Sequence, residues 1–568
     1  MFILGLNYGE FNTSSALVKN GKLLFAIQEE RCNREKFSKE FPLKSIQLIL
    51  KKFKIKISDI YAIGSGWNPA GHITKYNPLI SKSRSLRENN FYTLIDNIFK
   101  LDKREDSLFT EVNVNFYNKK FPKFFHINHH ACHAANAFYL SNFNKAAILS
   151  IDFRGENDCT AMFVGNKNKI KKIFSQQIPN SLGLFYSAFT QYLGYKPDSD
   201  EWKVMAMSAL KINCSKEIKK IKKTYTLKNE KLYLNQKYFS PFTHTDNNLY
   251  TNELEKLLFS NSRKNIKMIN TNVVKIAKAL QYCAEEIALS FLNSLHKKTK
   301  INKLVVSGGF FMNSVFNGKI LKKTKFKELY IPYAPTDTGN SIGSAMYLYN
   351  CILNKKKIKQ NQSPFIGPNF SNDDILKTLK RRKIRYKKII NFAKTVALKC
   401  YNEKVVAYFR NNMEFGDRSL GCRSILADPR SYKNKDKINK MVKYREKYRP
   451  FAPSVLAEEV NKYFEVNNNF TNHYMEKVVK VKKKYRNKLQ ATTHYDGSSR
   501  VQTVTKELNS DFYKVLKEFK KLSGIPILLN TSLNINSEPI VMTPDDAISN
   551  FYNSGLDCIV IGDFLLEK

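Results

Sequence analysis

The chain has 568 residues, of which 42% are hydrophobic, so it is long enough for two or three domains with packed cores. No apolar run approaches the roughly 18 residues that cross a bilayer, and the nine cysteines include no C-x-x-C pair, which excludes a membrane-spanning chain and a zinc ribbon. The first residues, MFILGLNYGE, are typical of a strand rather than a signal peptide. Since scattered, unpaired cysteines suit a reducing compartment, we expect a cytoplasmic protein.

Lysine and arginine together number 95 against 49 acidic residues, a net charge of +46. Such a field attracts nucleic acid, anionic membranes or phosphorylated small molecules. The basic stretches, such as 216–225 and 476–488, are dominated by lysine and dispersed along the chain, and no nucleic-acid-binding motif accompanies them. We therefore favour a solvated, lysine-rich surface and small-molecule partners, and keep RNA binding as the alternative.

The N-terminal segment predicts a unit of three strands. An apolar FILGLNY precedes the small polar turn GEFNTSS, and ALVKNGKLLFAIQEE holds two strands joined at Asn20-Gly21. The stretch AILSIDFRGENDCTAMFVGNKNKIKKIF, which begins at residue 147, repeats this layout. Two such units, each followed by helices, predict a duplicated, two-lobed α/β domain.

Helices are predicted between and after these units. Helical patterns occur over residues 43–62 and in the stretch NHHACHAANAFYLS, whose candidate N-cap is Asn128 or the residue before it. Residues 77–110 are irregular. A long amphipathic helix over 272–295 precedes a strand, a Gly-Gly turn and a further helix.

A boundary follows, where basic residues 355–359 precede the proline- and glycine-containing PFIGPNFS. Beyond it, helices and strands alternate again, which predicts a second α/β domain. We expect domains of 1–354 and 370–568, joined by a linker of 355–369.

Four of the nine histidines fall within eight residues, namely His126, His129, His130 and His133. On a helix, residues four apart share a face, so His129 and His133 project together and can hold one divalent metal ion. Asp152, at the end of a predicted strand, and Asp337, before a predicted helix, can add anionic ligands. By itself, H-x-x-x-H is more often a pair of capping or core histidines.

Several stretches predict anion or ligand binding. The Gly308-Gly309 turn lets a backbone approach phosphate at a helix start, with Asn313 just beyond it. The stretch 414–451 combines turn residues with five cations: Arg418, Arg423, Lys443, Arg445 and Arg449. The planar guanidinium groups of the arginines suit bidentate binding of phosphate and carboxylate. Polar groups also follow apolar strands further on: Arg500, Asn530, Thr531 and Ser532. Ordinary turns and a basic surface remain the alternatives for these stretches.

Taken together, the chain resembles the O-carbamoyltransferases of nodulation factors and antibiotics, the NodU/CmcH-type family. The resemblance covers nearly the whole chain. Its carriers are EERCNREKF, HHACHAANAFY, SLGLFYSAFTQYLGY, EWKVMAM, SGGFFMN, MEFGDRSLGCRSILADPR, KYREKYRPFAPSVL, SRVQTV and LLNTSLNINSEPIV.

The resemblance implies a two-lobed, actin-like (ASKHA, RNase H-like duplicated) N-terminal domain and a YrdC-like C-terminal domain. It implies that carbamoyl phosphate and ATP, with Mg²⁺, form carbamoyl-adenylate in the second domain. The first domain then passes the carbamoyl group to an acceptor hydroxyl, often of a sugar. It also implies a metal, usually iron(II), at His129, His133, Asp152 and Asp337, although these residue types alone suit Fe, Mn or Zn equally.

We expect the charged residues of the second domain to carry the phosphate chemistry. Lys443, Arg449 and Arg418 are the expected catalytic groups, which stabilise developing negative charge. The expected ligand-binding residues are Gly308, Gly309, Asn313, Arg423, Arg445, Arg500, Asn530, Thr531 and Ser532.

The chain also departs from the family pattern. The family usually has a histidine in the first turn, where this chain has Phe11-Asn12. If that histidine accepts the acceptor's proton, the base is unassigned in this chain. The adjacent Glu10 is the candidate substitute. The other departures are Phe153 in the D-G-x-G turn, Asp417 in F-G-P-R and Ala206 in K-V-M-G. These changes predict an altered acceptor or weakened activity.

Three other functions are kept as alternatives: an RNA-binding or tRNA-modifying protein, a hydrogenase-maturation-type carbamoyltransferase and a non-catalytic binding protein. The second of these normally carries C-x-x-C motifs, which this chain lacks. The acceptor pocket is expected to be shaped by loops such as 66–110 and 236–270. The sequence predicts neither the acceptor nor the oligomeric state.

Overall fold

The structure is a computed structural model. It describes residues 1–9, 12–68, 108–112, 121–240, 248–258, 270–445, 448–449 and 451–568. Several predictions fall wholly or mostly outside these ranges: Glu10 and Phe11 of the first turn, the irregular segment 77–110, and the loops 66–110 and 236–270. Among the helices in the described ranges, none is both long enough and apolar enough to cross a membrane.

The chain divides into two compact units. The first comprises residues 1–26, 39–313 and 319–362, and the second comprises 27–38, 314–318 and 363–568. The predicted linker is therefore divided between the two units. Its first part is fixed on the first unit, because Lys357 Nζ donates to the carbonyl oxygens of Phe138 and Phe143, both at 2.7 Å, and Gln360 Nε2 donates to that of Gly21 at 2.8 Å.

Two sheets in the first unit repeat one strand order. The first sheet runs β3-β2-β1-β4-β6-β5 and the second runs β13-β12-β7-β8-β9. The first is built from β1 (Phe2–Asn7), β2 (Ser14–Lys19), β3 (Lys22–Gln28), β4 (Ile60–Ser65), β5 (Phe109–Val112) and β6 (Lys123–Ile127). The second is built from β7 (Lys145–Ile151), β8 (Asp158–Asn166), β9 (Lys169–Gln177), β12 (Lys303–Ser307) and β13 (Glu328–Tyr330), while β10 (Tyr225–Lys228) and β11 (Lys231–Leu234) form a separate ribbon.

The pairing directions repeat as well as the order. The first strand of each sheet, β1 or β7, is antiparallel to the strand that follows it in the chain. On its other side it is parallel to β4 or β12, and these in turn are parallel to β6 or β13. This duplicated topology confirms the predicted two-lobed, actin-like fold.

The helices of the first unit join and cover these sheets. They are α2 (Leu43–Phe53), α3 (His129–Leu140), α4 (Leu182–Tyr192), α5 (Glu201–Met207), α6 (Ser215–Ile221), α7 (Asn252–Leu258), α8 (Thr271–Thr299), α10 (Ile320–Lys323) and α11 (Asn340–Tyr347), whereas α1 (Glu29–Asn33) and α9 (Ser314–Asn317) lie in segments of the second unit. The helix predicted over 43–62 ends at Phe53, because Lys54 adopts a left-handed conformation and Ile60 begins β4. Helix α8 starts where the Asn270 side chain accepts a hydrogen bond from the Val273 amide.

The second unit is built on a mixed sheet ordered β14-β23-β22-β15-β16-β21-β17-β20. Its strands are β14 (Lys387–Lys388), β15 (Val406–Phe409), β16 (Arg423–Ala427), β17 (Ala452–Leu456), β20 (Gln502–Val504), β21 (Ile527–Ser532), β22 (Cys558–Ile561) and β23 (Phe564–Glu567), with β18 (Val479–Lys480) and β19 (Ser498–Ser499) apart. Its helices are α12 (Asn372–Arg381), α13 (Phe392–Tyr401), α14 (Tyr432–Ile438), α15 (Val460–Tyr463), α16 (Ser510–Ser523) and α17 (Pro544–Tyr552).

Both faces of this sheet are covered. Along β15, Val406 and Tyr408 belong to one apolar cluster, while Ala407 and Phe409 belong to another, as the two-residue period of a strand requires. The first cluster includes residues of α13 and α16, and the second includes residues of α12 and α17. The second unit is therefore an α/β domain, as predicted, and its helices cover both faces of the sheet.

Helix α11 lies directly on the first sheet, where two glycines leave room for it. A Cβ at Gly5 in β1 would stand 1.9 Å from the carbonyl oxygen of Ser341, and one at Gly64 in β4 would stand 3.0 Å from that of Ser344. The two glycines are paired across the parallel strands. The helix therefore approaches β1 more closely than β4.

We expect Gly5→Ala to lower the free energy of unfolding by about 1–3 kcal/mol, because the new methyl group forces α11 away from β1. Gly64→Ala, the matched control, should cost clearly less, since its contact needs only a small shift. Chemical unfolding of the two variants measures the difference. Equal losses in the two variants would contradict this account of the packing.

His126, in β6, predicts an acid-dependent loss of stability. Burial lowers its pKa to about 4, while a histidine in the unfolded chain titrates near 6.5. Between these values the unfolded chain binds a proton that the folded protein does not. This part of the stability is therefore complete above pH 6.5 and is lost, by about 3 kcal/mol, as the pH falls to 4.

His126→Asn should make the loss of stability between pH 7.5 and 4.5 shallower, because the amide can still donate to the Trp67 carbonyl but does not titrate. Urea unfolding at the two pH values tests this, with the wild-type protein as reference. An unchanged difference between the two pH values would show that His126 does not carry the effect.

Candidate metal centre and anion-binding cluster

The central element of the first candidate site is helix α3, which is buried along its whole length. The helix begins at His129, as the sequence predicts from Asn128, but the Asn128 side chain makes no capping hydrogen bond. Instead Glu156 Oε1 accepts from the backbone amides of His129 at 2.9 Å and Asn68 at 2.7 Å. The Glu156 carboxylate thus accepts from the first backbone amide of a helix that has no access to water.

The predicted pair of histidines projects from one face of this helix. The Nε2 atoms of His129 and His133 lie 3.0 Å apart, and both side chains are almost fully buried. The other two histidines point elsewhere: His130 contacts Ser150 Oγ through Nδ1 at 2.8 Å, and His126 Nδ1 donates to the Trp67 carbonyl at 3.1 Å.

Two carboxylates complete the group. Asp152 directly follows β7, and Asp337 begins a single helical turn before α11. Asp152 Oδ2 lies 2.9 Å from His133 Nε2 and 3.8 Å from His129 Nε2. Asp337 Oδ1 lies 3.3 Å from His133 Nε2 and 3.4 Å from His129 Nε2. The structure therefore brings together all four residues that were predicted as metal ligands.

These distances fit a shared metal ion. Ligand atoms about 2.1 Å from one ion stand about 3.0–3.4 Å apart in octahedral or tetrahedral geometry. The four atoms all lie within 4.8 Å of one another. Two imidazole nitrogens and two carboxylate oxygens suit a divalent transition ion, but they do not select iron over manganese or zinc.

In this group the histidines and carboxylates offset the effect of burial on one another's pKa. Burial alone would lower the pKa of His129, but Asp337 and Asp152 raise it well above its usual value. Burial alone would raise the pKa of Asp152, but hydrogen bonds with His129 and His133 hold it well below its usual range. The two carboxylates thus favour positive charge at this position, whether a proton or a divalent ion supplies it.

Neighbouring groups orient two of these side chains. Asp152 accepts backbone N–H bonds from Phe153 at 2.7 Å and from Gly309 at 3.0 Å. Ser307 Oγ donates to the Pro335 carbonyl at 3.0 Å, so at 3.4 Å it can only accept from His133 Nδ1. With its proton on Nδ1, His133 directs the Nε2 lone pair into the group.

The Gly-Gly turn also belongs to this region. Gly308 has φ +103°, and a Cβ there would stand 2.1 Å from the carbonyl oxygen of Ile151, so the turn packs against the end of β7. Gly309 orients Asp152, while Asn313 Nδ2 donates to Gln281 Oε1 at 3.0 Å. The structure thus gives these residues packing and orienting contacts; their predicted contact with a nucleotide stays a prediction.

A cluster of cations lies in the second unit. Burial lowers the pKa of the Arg500 guanidinium well below its usual range, and the nearby charges of Arg418, Arg445 and Arg449 lower it further. Burial also lowers the pKa of Lys36; Glu30 opposes this effect, but Arg445 adds to it. Of these side chains Arg449 is buried, Arg418, Arg445 and Arg500 are half-buried, and Lys36 is exposed. Like charges that lie close together repel, so an anion bound among them lowers this repulsion. We call Arg418, Arg445, Arg449, Arg500 and Lys36 the cation cluster.

Sequence reasoning assigned no role to Lys36. Its segment was part of the family resemblance, but it lies more than 380 residues before the first of the clustered arginines. The structure explains its position, because 27–38 belong to the second unit. Arg34 donates to the carbonyl oxygens of Ile540 at 2.8 Å and Pro539 at 2.9 Å, and thereby holds this segment in place.

Lys443, predicted to be catalytic, is buried and makes hydrogen bonds within the protein. Its Nζ lies 2.6 Å from the Ser532 carbonyl oxygen, 2.6 Å from Asn534 Oδ1 and 2.9 Å from the Asn534 carbonyl oxygen. Burial lowers its pKa well below the usual value, and Arg445 and Lys36 add to this effect. Lys443 therefore fixes the Ser532–Asn534 loop beside the cation cluster.

Three other predicted ligand-binding residues lie in the sheet. Arg423 is fully buried, stacks 3.7 Å from the Phe409 ring centroid and donates to the carbonyl oxygens of Arg410 and Asn411. These donors contact backbone carbonyls of the same unit, and the predicted role of Arg423 in ligand binding stays a prediction. Asn530 donates to Gln502 Oε1 at 3.0 Å inside the unit, and Thr531 pairs with Ile425 in the strand ladder.

Comparison with known proteins identifies the family. The family description "Carbamoyltransferase N-terminus" matches residues 2–346, and "Carbamoyltransferase C-terminus" matches residues 397–568. An uncharacterized protein of Synechocystis is 31% identical over 604 aligned positions, which cover 100% of this chain and 96% of that protein. The nodulation protein NolNO of Sinorhizobium fredii is 30% identical over 98% of this chain and 78% of its own length.

A relative with a named activity aligns with part of the chain. The 3'-hydroxymethylcephem-O-carbamoyltransferase of Streptomyces clavuligerus is 28% identical over 46% of this chain and 48% of that enzyme. Among solved structures, full-length HypF in its phosphate- and nucleotide-bound form aligns with 61% of this chain and 55% of its own at 14% identity and a TM-score of 0.30, a likeness too low to carry an argument. On the family matches and the two long alignments, the chain belongs to the carbamoyltransferase family and is a transferase enzyme.

Proposed function

We propose that the protein is an O-carbamoyltransferase that uses carbamoyl phosphate and ATP to form carbamoyl-adenylate and transfers the carbamoyl group to the hydroxyl of a sugar or sugar-containing acceptor. The observation that carries the proposal is the cation cluster, whose grouped positive charges suit the phosphates of both substrates. The cephem relative is named for O-carbamoyl transfer, which supports the choice of a hydroxyl acceptor.

The second unit is the proposed place of adenylation. The guanidinium forks of Arg418, Arg449 and Arg500 can bind phosphate oxygens bidentately and stabilise the negative charge that develops on the leaving pyrophosphate. Ser532 Oγ accepts from Lys443 Nζ at 3.2 Å and donates to Asn534 Oδ1 at 2.6 Å, and its contact with a substrate stays a prediction. Adenylation is useful because a carbamoyl group is a poor electrophile, and the mixed anhydride gives it a good leaving group.

The first unit is the proposed place of transfer. A divalent ion, when bound, supplies a Lewis acid that can polarise an oxygen of the mixed anhydride. His129, His133, Asp152 and Asp337 are the residues that would hold it, and the two carboxylates remain partly exposed, so a ligand can approach them. Iron as the metal, and the residue that takes the acceptor's proton, stay open within this proposal.

The direct test incubates the metal-loaded protein with carbamoyl phosphate, ATP and a panel of sugars. We expect pyrophosphate release that depends on carbamoyl phosphate, and a carbamoylated product with the correct acceptor. No pyrophosphate release from metal-loaded protein would contradict the proposal. The alternative of RNA binding is based on the net charge and on the resemblance to domains that act on tRNA; it requires tight binding that weakens steeply with salt.

His133→Ala should lower the affinity for a divalent metal by more than about 100-fold, since loss of a mere neighbour of a ligand already costs 10–100-fold. Carbamoylated product should be lost with the metal, while pyrophosphate release by the second unit should continue. Metal content and the two product assays measure this. His126→Asn is the control from the same histidine group and should keep the metal; equal metal loss in both variants would count against His133 as a ligand.

Arg500→Gln should raise the KM for carbamoyl phosphate or ATP by about 10- to 100-fold, because a charge-assisted hydrogen bond to phosphate is lost from a half-buried position. Pyrophosphate release at constant ionic strength measures the change. Arg430→Gln is the matched control, since Arg430 pairs with Asp428 and lies outside the cation cluster. A KM that stays at the wild-type value in Arg500→Gln would remove Arg500 from the binding site.

A further inference from the structure

One buried amide beside the metal group lacks a hydrogen-bond partner for its oxygen. Asn340 is the first residue of α11 and is fully buried. Its Nδ2 lies 3.4 Å from His129 Nδ1 and 3.4 Å from His133 Nε2. Within the described part of the chain, Asn340 Oδ1 has no hydrogen-bond partner. A buried carbonyl oxygen without a donor is unfavourable, so this arrangement needs an explanation.

The proton position on a metal-binding histidine explains the arrangement of Asn340. If His129 binds the ion through Nε2, the proton of its neutral imidazole must sit on Nδ1, which is then a donor. That donor would face the NH₂ group of Asn340, which is also a donor. A half-turn of the amide exchanges two groups of similar size and brings Oδ1 to Nδ1–H. The exchange replaces an opposed pair of donors by a hydrogen bond.

His133, the second histidine of the group, is oriented by an acceptor at its Nδ1. The hydroxyl proton of Ser307 goes to the Pro335 carbonyl, so Ser307 Oγ accepts from His133 Nδ1. Asn340 would therefore do for His129 what Ser307 does for His133. Each histidine would have its own acceptor, supplied by a different segment of the first unit.

Close packing fixes the distance between Asn340 and His129. A Cβ at Gly343, in α11, would stand 2.0 Å from the carbonyl oxygen of Cys132, which lies between the two histidines on α3. The two helices therefore touch at their backbones. Because α11 is also pressed onto β1 at Gly5, the amide cannot move away from the imidazole without disturbing both contacts.

We infer that Asn340 is a positioning residue of the metal site, whose carboxamide oxygen accepts the Nδ1 proton of His129 and so directs the Nε2 lone pair toward the ion. This inference rests on the metal site of the proposed function and names a residue outside the four ligands. It assigns Asn340 an effect on metal affinity and ligand geometry, with no contact to substrate.

The test measures Co²⁺ binding to the full-length protein in the absence of substrates, by titration and by the visible absorption spectrum. Asn340→Ala removes the acceptor, and we expect affinity to fall about 10- to 100-fold with a changed spectrum. Asn340→Asp keeps an oxygen at the same place and adds negative charge, so it should bind Co²⁺ at least as tightly as the wild-type protein.

Asn350→Ala is the matched control. Asn350 lies in the helical turn that continues α11, is equally buried, donates to the Met346 carbonyl at 2.8 Å and also has a buried Oδ1 with no partner among the described residues. Its removal should leave Co²⁺ affinity and spectrum unchanged. A loss in Asn350→Ala as large as in Asn340→Ala would reduce the effect to helix stability and overturn the inference.

Two further outcomes decide the question. Wild-type affinity and spectrum in Asn340→Ala, or weaker binding in Asn340→Asp than in the wild-type protein, would overturn the inference; the Asp variant decides alone if the Ala variant does not fold. In those cases the wild-type protein still binds Co²⁺, and the proposed function is untouched. If the wild-type protein itself binds no divalent ion, the metal site of the proposed function fails, and the inference fails with it.

Discussion

The first unit depends on one constraint, which is the burial of helix α3. A helix without access to water must find protein partners for the backbone groups at both ends and for each histidine it carries. Glu156 serves its first amide, and Lys357 donates to carbonyl oxygens at its far end, where burial lowers the lysine's pKa to about 7. These partners come from distant parts of the chain, so the helix fixes the arrangement of the segments around it.

The second unit obeys a different constraint. Several of its cations lie close enough to lower one another's pKa, and bringing these like charges together costs free energy. The costly arrangement includes Lys36 from near the start of the chain and Arg500 from near its end. Functional sites commonly retain such local cost, because a bound ligand of opposite charge offsets it. Lys443 differs from the cation cluster, because oxygens of Ser532 and Asn534 in its own unit accept hydrogen bonds from its Nζ.

Much of this organisation was predictable from local patterns. The two three-strand layouts predicted the duplicated lobes, and the four-residue spacing of His129 and His133 predicted a shared face, because both depend on the geometry of single elements. The helix over 43–62 was predicted too long, since Lys54 ends it through its backbone conformation rather than through a recognised breaker. Arg423 was predicted as a ligand-binding residue from its turn-rich surroundings, and the burial of its side chain was not predictable from them.

The sequence by itself determined the family, the α/β class, the order of the elements and the residue types that can bind a metal ion. Only the tertiary structure decided which distant side chains meet: Asp152 and Asp337 at the histidine pair, Lys36 among the arginines, and Ser307 and Asn340 at the outer edges of the imidazoles. The reason is physical. Periodicity along a chain encodes which face of an element is buried, but a contact between segments separated by hundreds of residues depends on packing that no local pattern records.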